Sequence, residues 1–336
     1  MKGSHSIIVQ NNRLHYELLV KRNITIILGD SATGKTTLVE MLRQYMDLGP
    51  DSGVEVNCDV PCAVLEGRNW QAILSSYNQT IIFIDEGNIF VSTEAFASAV
   101  KGSDNYFVLI TRENLYNLPY SIDEIYGLHS SGKYQNSRRV YQQTYKIYTE
   151  QVSNMAKPEM ILVEDSNSGF EFFAAAGKEK GIICQSAGGK SNLYKALKAT
   201  AQEATVCVVA DGAALGAEMA RLRSLARDRG NIIFYLPESF EWLILEAGLL
   251  NSHEIRTILE RPEEFIESRE FFSWEQFFTK LLTERTQGTP FRYGKKKLNP
   301  VYLHERNKRK IVEASPLVWL AVSKEHGEVT SEMTKK

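Results

Sequence analysis

Residues 24–42 read I-T-I-I-L-G-D-S-A-T-G-K-T-T-L-V-E-M-L, and this stretch decides the fold of the first half of the chain. Its apolar start predicts a buried strand, and residues 35–45 that follow predict a helix. Between them, residues 29–36 match the pattern G-x-x-x-x-G-K-[ST] without gaps. In this pattern, backbone N–H groups and the positive end of the helix hold phosphate oxygens. The stretch therefore predicts a nucleotide site.

Each fixed position of this motif has a chemical role. Lys35 is expected to reach the β and γ phosphates of the nucleotide, and the hydroxyl of Thr36 is expected to bind Mg²⁺. The predicted nucleotide-binding residues are Gly29, Asp30, Ser31, Ala32, Thr33, Gly34, Lys35, Thr36 and Thr37.

Two carboxylates follow a later strand. The apolar run Ile81–Ile84 ends in Asp85 and Glu86, which is the Walker B form. Paired with a phosphate cradle, Asp85 is predicted to hold Mg²⁺ through water, and Glu86 to polarise the attacking water. The next apolar run, Tyr106–Ile110, leads to Arg112, where a γ-phosphate sensor would lie. A surface ion pair is the alternative role for Arg112.

Residues 24–110 resemble the P-loop NTPases in carrying these motifs in this order. The resemblance implies a parallel sheet that binds a nucleotide, with Lys35, Glu86 and Arg112 as the catalytic residues. The Leu-Ser-Gly-Gly-Gln signature of ABC ATPases is absent, and the absence of Asn-Lys-x-Asp makes ATP the expected nucleotide rather than GTP. Small-molecule kinases usually lack the second acid, so Glu86 favours ATP hydrolysis. A phosphotransferase that uses ATP on a small molecule remains an alternative.

A second series of strands and helices begins after Pro158. Strict alternation of apolar runs and helical segments predicts a second doubly wound α/β sheet. The strands are expected at residues 160–163, 181–185, 205–210 and 231–236, and the helices at residues 170–179, 192–203 and 217–229.

Acidic residues follow several of these strands. Glu164 follows the first strand, Asp211 the third, and Glu238 and Glu241 come after the last. Because the carboxyl ends of parallel strands share one edge, these side chains are expected to converge there. Clustered carboxylates without a basic partner need Mg²⁺ or protons to neutralise them.

Residues 160–245 resemble the Toprim fold of primases, topoisomerases and overcoming-lysogenization-defect nucleases, through the acids after the first and third strands. The resemblance implies that Glu164 and Asp211 bind Mg²⁺ for phosphodiester chemistry. It further implies that Glu238 or Glu241 joins them as a metal ligand.

The sequence departs from that family at position 213, where a second Asp is expected and Ala213 stands. Either another acid substitutes for it (Asp165, Glu238 or Glu241), or the domain binds nucleic acid without cutting it. The acids also fit ordinary structural roles, since Asp165 can cap the next helix and an Asp-Gly pair favours turns. A Ser-Ala-Gly-Gly-Lys-Ser loop after the second strand could bind phosphate through its amides and Lys190.

Residues 292–310 read R-Y-G-K-K-K-L-N-P-V-Y-L-H-E-R-N-K-R-K, with eight cations against a single Glu. Cations that neutralise phosphates release counterions, and interleaved aromatic rings can stack on bases. Tyr293, Tyr302 and His304 are the candidates for such stacking. The segment therefore predicts nucleic-acid binding, with a solvated surface strip as the alternative.

Composition bounds the remaining classes. The chain has 336 residues and a formal net charge of −2, so two domains are expected and no global attraction to nucleic acid or membrane. No signal peptide or membrane span is predicted, and four cysteines without zinc-site spacing favour a reducing cytoplasm. We divide the chain into a P-loop domain (1–152), a Toprim-like domain (158–248) and a helical, basic C-terminal region (249–336).

The resulting hypothesis is an ATPase whose nucleotide state gates a Mg²⁺-dependent, nuclease-like Toprim domain, in the manner of phage-defence nucleases. The alternative is a nucleotide-dependent regulatory module with an inactive Toprim-like half, which would act through a protein partner or a homo-oligomer. Ala213 favours the alternative.

Overall fold

The structure is a computed structural model that describes residues 1–29, 34–130, 139–149, 157–250 and 252–321. It is mixed α/β, with one large sheet in the first half and a smaller, fully parallel sheet in the second. This confirms the predicted α/β class and the restart of the sheet pattern. No helix within those ranges has the length and apolar composition needed to cross a bilayer.

The first sheet has nine strands, in the order β4-β1-β2-β9-β8-β3-β7-β6-β5. The five strands from β8 to β5 run parallel, and β9 pairs antiparallel with β8. The strands are β1 (His5–Gln10), β2 (Leu14–Val20), β3 (Ile24–Ile27), β4 (Glu55–Asn57), β5 (Cys62–Val64), β6 (Ile81–Ile84), β7 (Tyr106–Ile110), β8 (Ile125–Ser130) and β9 (Val140–Lys146).

Both faces of this sheet are covered by apolar cores. Strands β3, β6 and β7 are buried along their whole length, which explains their uninterrupted apolar sequences. The helix that follows the glycine-rich motif packs on one face, and two shorter helices pack on the other. These helices are α1 (Lys35–Leu48), α2 (Trp70–Leu74) and α3 (Glu94–Lys101).

The first sheet curls around α1. Strands β4 and β5 form its opposite edges, yet only four residues separate Asn57, where β4 ends, from Cys62, where β5 begins. That connection spans at most about 18 Å, whereas nine strands lying flat would place their edges about 38 Å apart. The two edges therefore approach each other, and α1 contacts β1, β4 and β5.

The second sheet has four parallel strands in the order β11-β10-β12-β13. The strands are β10 (Met160–Val163), β11 (Ile183–Ser186), β12 (Val206–Val209) and β13 (Ile232–Tyr235), and the connecting helices are α4 (Ser168–Glu179), α5 (Lys190–Ala199) and α6 (Met219–Arg229). The predicted alternation of strands and helices is confirmed, with boundaries that differ by a few residues.

The C-terminal helices complete the second half. They share one hydrophobic core with a face of the small sheet, which joins Ile161 of β10 to Phe278 and Tyr302 far along the chain. The predicted division at residue 248 therefore does not separate two cores. These helices are α7 (Phe240–Glu246), α8 (His253–Glu260), α9 (Trp274–Thr286) and α10 (Glu305–Glu313).

Four strands of the large sheet were not predicted, namely β1, β2, β4 and β8. β1 and β2 form an antiparallel hairpin in which His5 lies opposite Val20. Residues 134–148 alternate polar and bulky side chains, a pattern that predicts a closing strand or hairpin, and β9 supplies that strand. Residues 134–138 of that prediction lie outside the described residues.

The two halves meet with the amino edge of the first sheet facing the carboxyl edge of the second. Tyr120, which precedes β8, accepts a hydrogen bond from the amide of Gly216 at 2.9 Å. A side chain at Gly216 would come within 2.3 Å of the Tyr120 ring, so the close approach requires glycine. The glycine-rich motif follows β3 and hence lies at the far edge of the first sheet.

Candidate functional site

Two glycines bound the predicted phosphate cradle. Gly29 and Gly34 have φ values of +138° and +83°, a region that favours glycine. The Tyr16 hydroxyl donates to the Gly34 carbonyl at 2.8 Å, and a side chain at position 34 would lie 2.8 Å from that hydroxyl. The intervening predicted ligands lie outside the described residues, namely Asp30, Ser31, Ala32 and Thr33.

Lys35 connects the two ends of the cradle. It is the first residue of α1 and is only 5% exposed, and its Nζ donates to the Gly29 carbonyl at 2.9 Å. Thr36 is exposed, and its neighbour Thr37 is half-buried. A lysine whose ammonium group is held at the amino end of a helix is suited to binding phosphate.

The predicted catalytic acid and sensor bind each other. β7 lies between β3 and β6 in the sheet, so Arg112, which follows β7, lies between the cradle and the Walker B strand. Arg112 donates to both carboxylate oxygens of Glu86, from Nε and Nη2, each at 2.9 Å. The ion-pair alternative for Arg112 is therefore what the structure contains. Each Glu86 oxygen accepts one bond from Arg112 and keeps a second lone pair for a further hydrogen bond.

Asp85 lies at the rim of an open cleft. Burial, followed by the neighbouring charge of Glu86, raises the pKa of Asp85 above its ordinary value. The cleft has a volume of about 590 Å³, and Asp85, Glu86 and Arg112 line it together with Ser92 and Thr111. Pockets of this size are typical of small-molecule sites.

The acids after β10 and β12 converge, as predicted. The Asp211 amide donates to Glu164 Oε2 at 3.1 Å, and Asp211 Oδ1 accepts from the Phe240 amide at 3.2 Å. Burial, then the charge of Glu275, raises the pKa of Glu164 to about 7. Burial, then Glu275 and Glu164, raises the pKa of Asp211 well above its usual range.

Two further acids belong to this group, and we name Glu164, Asp211, Glu241 and Glu275 the carboxylate cluster. Glu241 on α7 is 2% exposed, and its Oε1 accepts from the Tyr293 hydroxyl at 2.8 Å. Glu275 lies in the first turn of α9. Glu238 and Glu241 are the two candidates after β13. The charge of Glu241 acts on Asp211, whereas Glu238 binds Arg22, so Glu241 is the acid that joins Asp211.

The carboxylate cluster has a basic partner, Lys295. Lys295 donates from Nζ to Glu275 Oε1 at 2.5 Å. Burial alone would lower the pKa of Lys295, but Glu275 and Glu241 outweigh it and hold the pKa above its ordinary value. Neither Lys295 nor Glu275 had a local sequence signal, because helix packing brings both to the sheet from the C-terminal region.

The other predicted site residues of the second half are not members of the carboxylate cluster. Both carboxylate oxygens of Glu238 accept from Arg22 of the first half, at 2.9 and 2.5 Å. Asp165 accepts from the Phe170 amide at 3.1 Å, which is the capping role considered as an alternative. Lys190 lies at the start of α5 and lowers the pKa of Glu164 through its charge, although burial dominates.

The carboxylate oxygens of this cluster are suitable ligands for Mg²⁺, but the side chains are not arranged as a metal shell. Carboxylate oxygens are the hard ligands that Mg²⁺ prefers, and burial first, then neighbouring acids, raises the pKa values of Glu164 and Asp211. Within the described ranges, no three His, Cys, Asp or Glu side chains are grouped as a metal shell. In this arrangement Lys295 pairs with Glu275, and the raised pKa values favour the protonated forms of Glu164 and Asp211. Ala213 is 2% exposed and packs in the core.

The basic segment differs from its prediction in one respect. Tyr293 and Tyr302 are 3% and 0% exposed, so neither ring can stack on a base, because both complete the C-terminal core. Some of the cations are in ion pairs, namely Lys295 with Glu275, Lys308 with Glu179, and Arg309 with Glu313. Exposed cations remain at Arg292, Lys296, Lys297 and Arg306.

A scan of protein-family models and a search of curated proteins found no match to this chain. Functional assignment therefore rests on the residues of the two carboxyl edges.

Proposed function

We propose that the chain is an ATP-hydrolysing protein of the P-loop type whose second half is a Toprim-like, Mg²⁺-dependent site for nucleic-acid phosphodiesters. The observation that carries this proposal is the contact between Glu164 and the Asp211 amide at the ends of adjacent parallel strands. Two acids with raised pKa values at that position are suited to a divalent cation.

In the first half, the nucleotide would lie between the cradle and the cleft. Lys35 would exchange its bond to the Gly29 carbonyl for a phosphate oxygen. Thr36 and Asp85 would hold Mg²⁺, which when bound neutralises phosphate charge. Glu86 would orient water after Arg112 turns from its carboxylate toward the phosphate.

In the second half, Glu164 and Asp211 would be the first ligands of the metal, which when bound activates water and neutralises a phosphate oxygen. Glu241 and Glu275 would have to move toward them, because no three acids of the described ranges are grouped as a metal shell. Lys295 would have to release Glu275, since its ammonium group compensates part of the negative charge of the cluster. The exposed Lys296 and Lys297 follow Lys295 directly, so they lie where a polyanion would enter.

A metal-dependent cleavage panel tests the second half. Purified protein is incubated with single- and double-stranded DNA and RNA, with Mg²⁺ or Mn²⁺, with and without ATP. We expect cleavage that Asp211→Asn and Glu164→Gln abolish, while Glu246→Gln on the far end of α7 retains it. Intact substrates under all these conditions would remove the nuclease proposal. ATP turnover in the same samples reports on the first half independently.

A second candidate is a nucleotide-dependent binding module without cleavage. Two observations favour it: Ala213 replaces an expected acid, and the Lys295 ammonium already compensates the cluster. In that case the second half would bind nucleic acid, a protein partner or a second copy of the chain. Salt-dependent nucleic-acid binding without cutting, weakened by Lys296→Ala and Lys297→Ala together, distinguishes it.

A further inference from the structure

Arg22 is a buried cation at the contact between the two halves. It lies in the short connection between β2 and β3, and its side chain is 7% exposed. Its Nη1 and Nη2 donate to the Glu238 carboxylate at 2.9 and 2.5 Å. Its guanidinium also stacks on Trp274, 3.5 Å from the ring centroid. A cation buried this deeply persists only where partners compensate it.

A second acid completes this group from the first half. Glu124 precedes β8 and is 0% exposed, and its Oε1 lies 3.3 Å from the Arg22 Nε. Burial raises the pKa of Glu124, and the charge of Arg22 opposes that rise. Arg22 therefore ties an acid of each half to the same guanidinium.

The Glu238 contact leads directly to Asp211. The Glu238 carbonyl accepts from the Ala213 amide at 3.3 Å, and the Pro237 carbonyl accepts from the Gly212 amide at 2.6 Å. These two bonds hold the turn that follows Asp211. By fixing Glu238, Arg22 fixes the backbone that orients the Asp211 carboxylate.

The Trp274 contact leads to Glu275. Trp274 is the first residue of α9, and Glu275 is the second. α9 packs against the 212–214 turn, and Trp274 shares a core with Ala213 of that turn. One guanidinium therefore contacts both segments that bring acids to Asp211.

On its other side, Arg22 is joined through the backbone to both ends of the cradle. β2 carries Tyr16, which donates to the Gly34 carbonyl, and β3 leads to Gly29. The cradle and the carboxylate cluster lie beyond opposite ends of β3, whose four residues span about 13 Å. A bound nucleotide is therefore too far from the acids to touch them, and β2 and β3 supply a direct connection between the two sites.

We infer that Arg22 is a positioning residue that transmits nucleotide occupancy of the cradle to the carboxylate cluster. The inference rests on the proposed nucleotide binding of the first half, and it does not require the second half to cut nucleic acid. A shift of β2 or β3 on nucleotide binding would move the guanidinium, and with it Glu238 and Trp274.

Hydrogen–deuterium exchange of the full chain tests this inference. Exchange is followed in peptides covering residues 211–216 and 237–241, with Mg²⁺ and a slowly hydrolysed ATP analogue or without nucleotide. In the wild type, nucleotide should change exchange there by about fivefold or more. In Arg22→Lys, that change should vanish, because lysine can neither bind Glu238 through two nitrogens nor stack in the same way. Nucleotide affinity, measured by calorimetry, should stay within about threefold, because Arg22 does not line the cradle.

Arg285→Lys is the matched control, since Arg285 pairs with Glu254 on the exposed surface of the second half. It should retain the full nucleotide-dependent change. Retention of that change in Arg22→Lys overturns the inference, as does a wild type that binds nucleotide without any change at these peptides. A wild type that binds no nucleotide refutes both this inference and the proposed ATP site. If circular dichroism shows Arg22→Lys to be unfolded, Glu238→Gln replaces it, with the same loss expected.

Discussion

The two carboxyl edges carry acids after parallel strands, but they handle the charge differently. At the first edge, Glu86 and Arg112 form an ion pair in which the side chains are 35% and 52% exposed. At the second edge, Glu241 is 2% exposed. Burial also raises the pKa values of Glu164 and Asp211. Water screens the first set of charges, whereas burial favours the protonated forms of Glu164 and Asp211, and Lys295 pairs with Glu275. The same topology can therefore give an exposed ion pair at one edge and a buried group of acids at the other.

The largest expected effect tests whether the exposed edge is the nucleotide site. Lys35→Ala should reduce ATP turnover by roughly 10²–10³-fold, since it removes a directed cation from the phosphates. Phosphate release is the measurement, and Lys101→Ala, an exposed lysine at the end of α3, is the control. Equal turnover in Lys35→Ala and the control would show that the first edge is not the nucleotide site.

The next effect tests the protonation of the buried edge. Because the pKa of Glu164 is raised to about 7 on folding, the folded state binds more protons than the unfolded state above pH 4.5. The free energy of unfolding should therefore fall as pH rises from about 4.5 to about 7, by at most roughly 3 kcal/mol from this group.

Glu164→Gln should flatten that pH dependence in denaturant titrations. The matched control is Glu171→Gln in α4. A Glu164→Gln profile parallel to the wild type between these pH values would contradict the assignment of a raised pKa to Glu164.

A smaller effect tests the role of Lys295. Lys295→Met should destabilise the fold by about 1 kcal/mol, a value reduced by screening because the Lys295 side chain is 37% exposed. The loss should be greater at pH 8 than at pH 5, because Glu164, whose pKa is raised to about 7, and Asp211, whose pKa is also raised, carry more charge at the higher pH. Added Mg²⁺ should recover part of it in thermal unfolding. An equal loss at both pH values would indicate that Lys295 acts through packing alone.

The smallest effect belongs to the exposed pair. Arg112→Gln should change the free energy of unfolding by less than about 1 kcal/mol, because two solvent-exposed partners interact weakly. Chemical denaturation measures this change, and about 0.5 M salt should reduce it further by screening the exposed pair. A loss comparable to that of a buried ion pair would show that the two edges are less different than their exposure indicates.

Sequence patterns predicted the features that depend on neighbouring residues or on strand order. The apolar run of β6 with Asp85 at its end, and the convergence of Glu164 with Asp211, follow from the rule that parallel strands share a carboxyl edge. Both were found where that rule places them. The assignment of these residues to ATP and Mg²⁺ chemistry stays a prediction.

The features that were missed depend on packing between distant segments. Glu275 and Lys295 reach the cluster because the C-terminal helices share the core of the small sheet, and no local pattern reports that. Arg22 is one cation in a short connection, and only the docking of the halves adds Glu238 and Trp274 to its partner Glu124. The hairpin of β1 and β2 had a readable signal, since Asn-Asn separates two alternating runs.

The curled first sheet also constrains the order in which the chain can fold. β4 and β5 are neighbours in sequence but pair with β1 and β6 at opposite edges, so the loop between them fixes how far apart those edges can be. His5 of β1 binds Asp59 in that loop at 2.9 Å, which ties the loop to one edge. Both edge pairings cannot coexist in a flat sheet, so the edge that pairs second can do so only as the sheet curls around α1. Such non-local pairing slows folding.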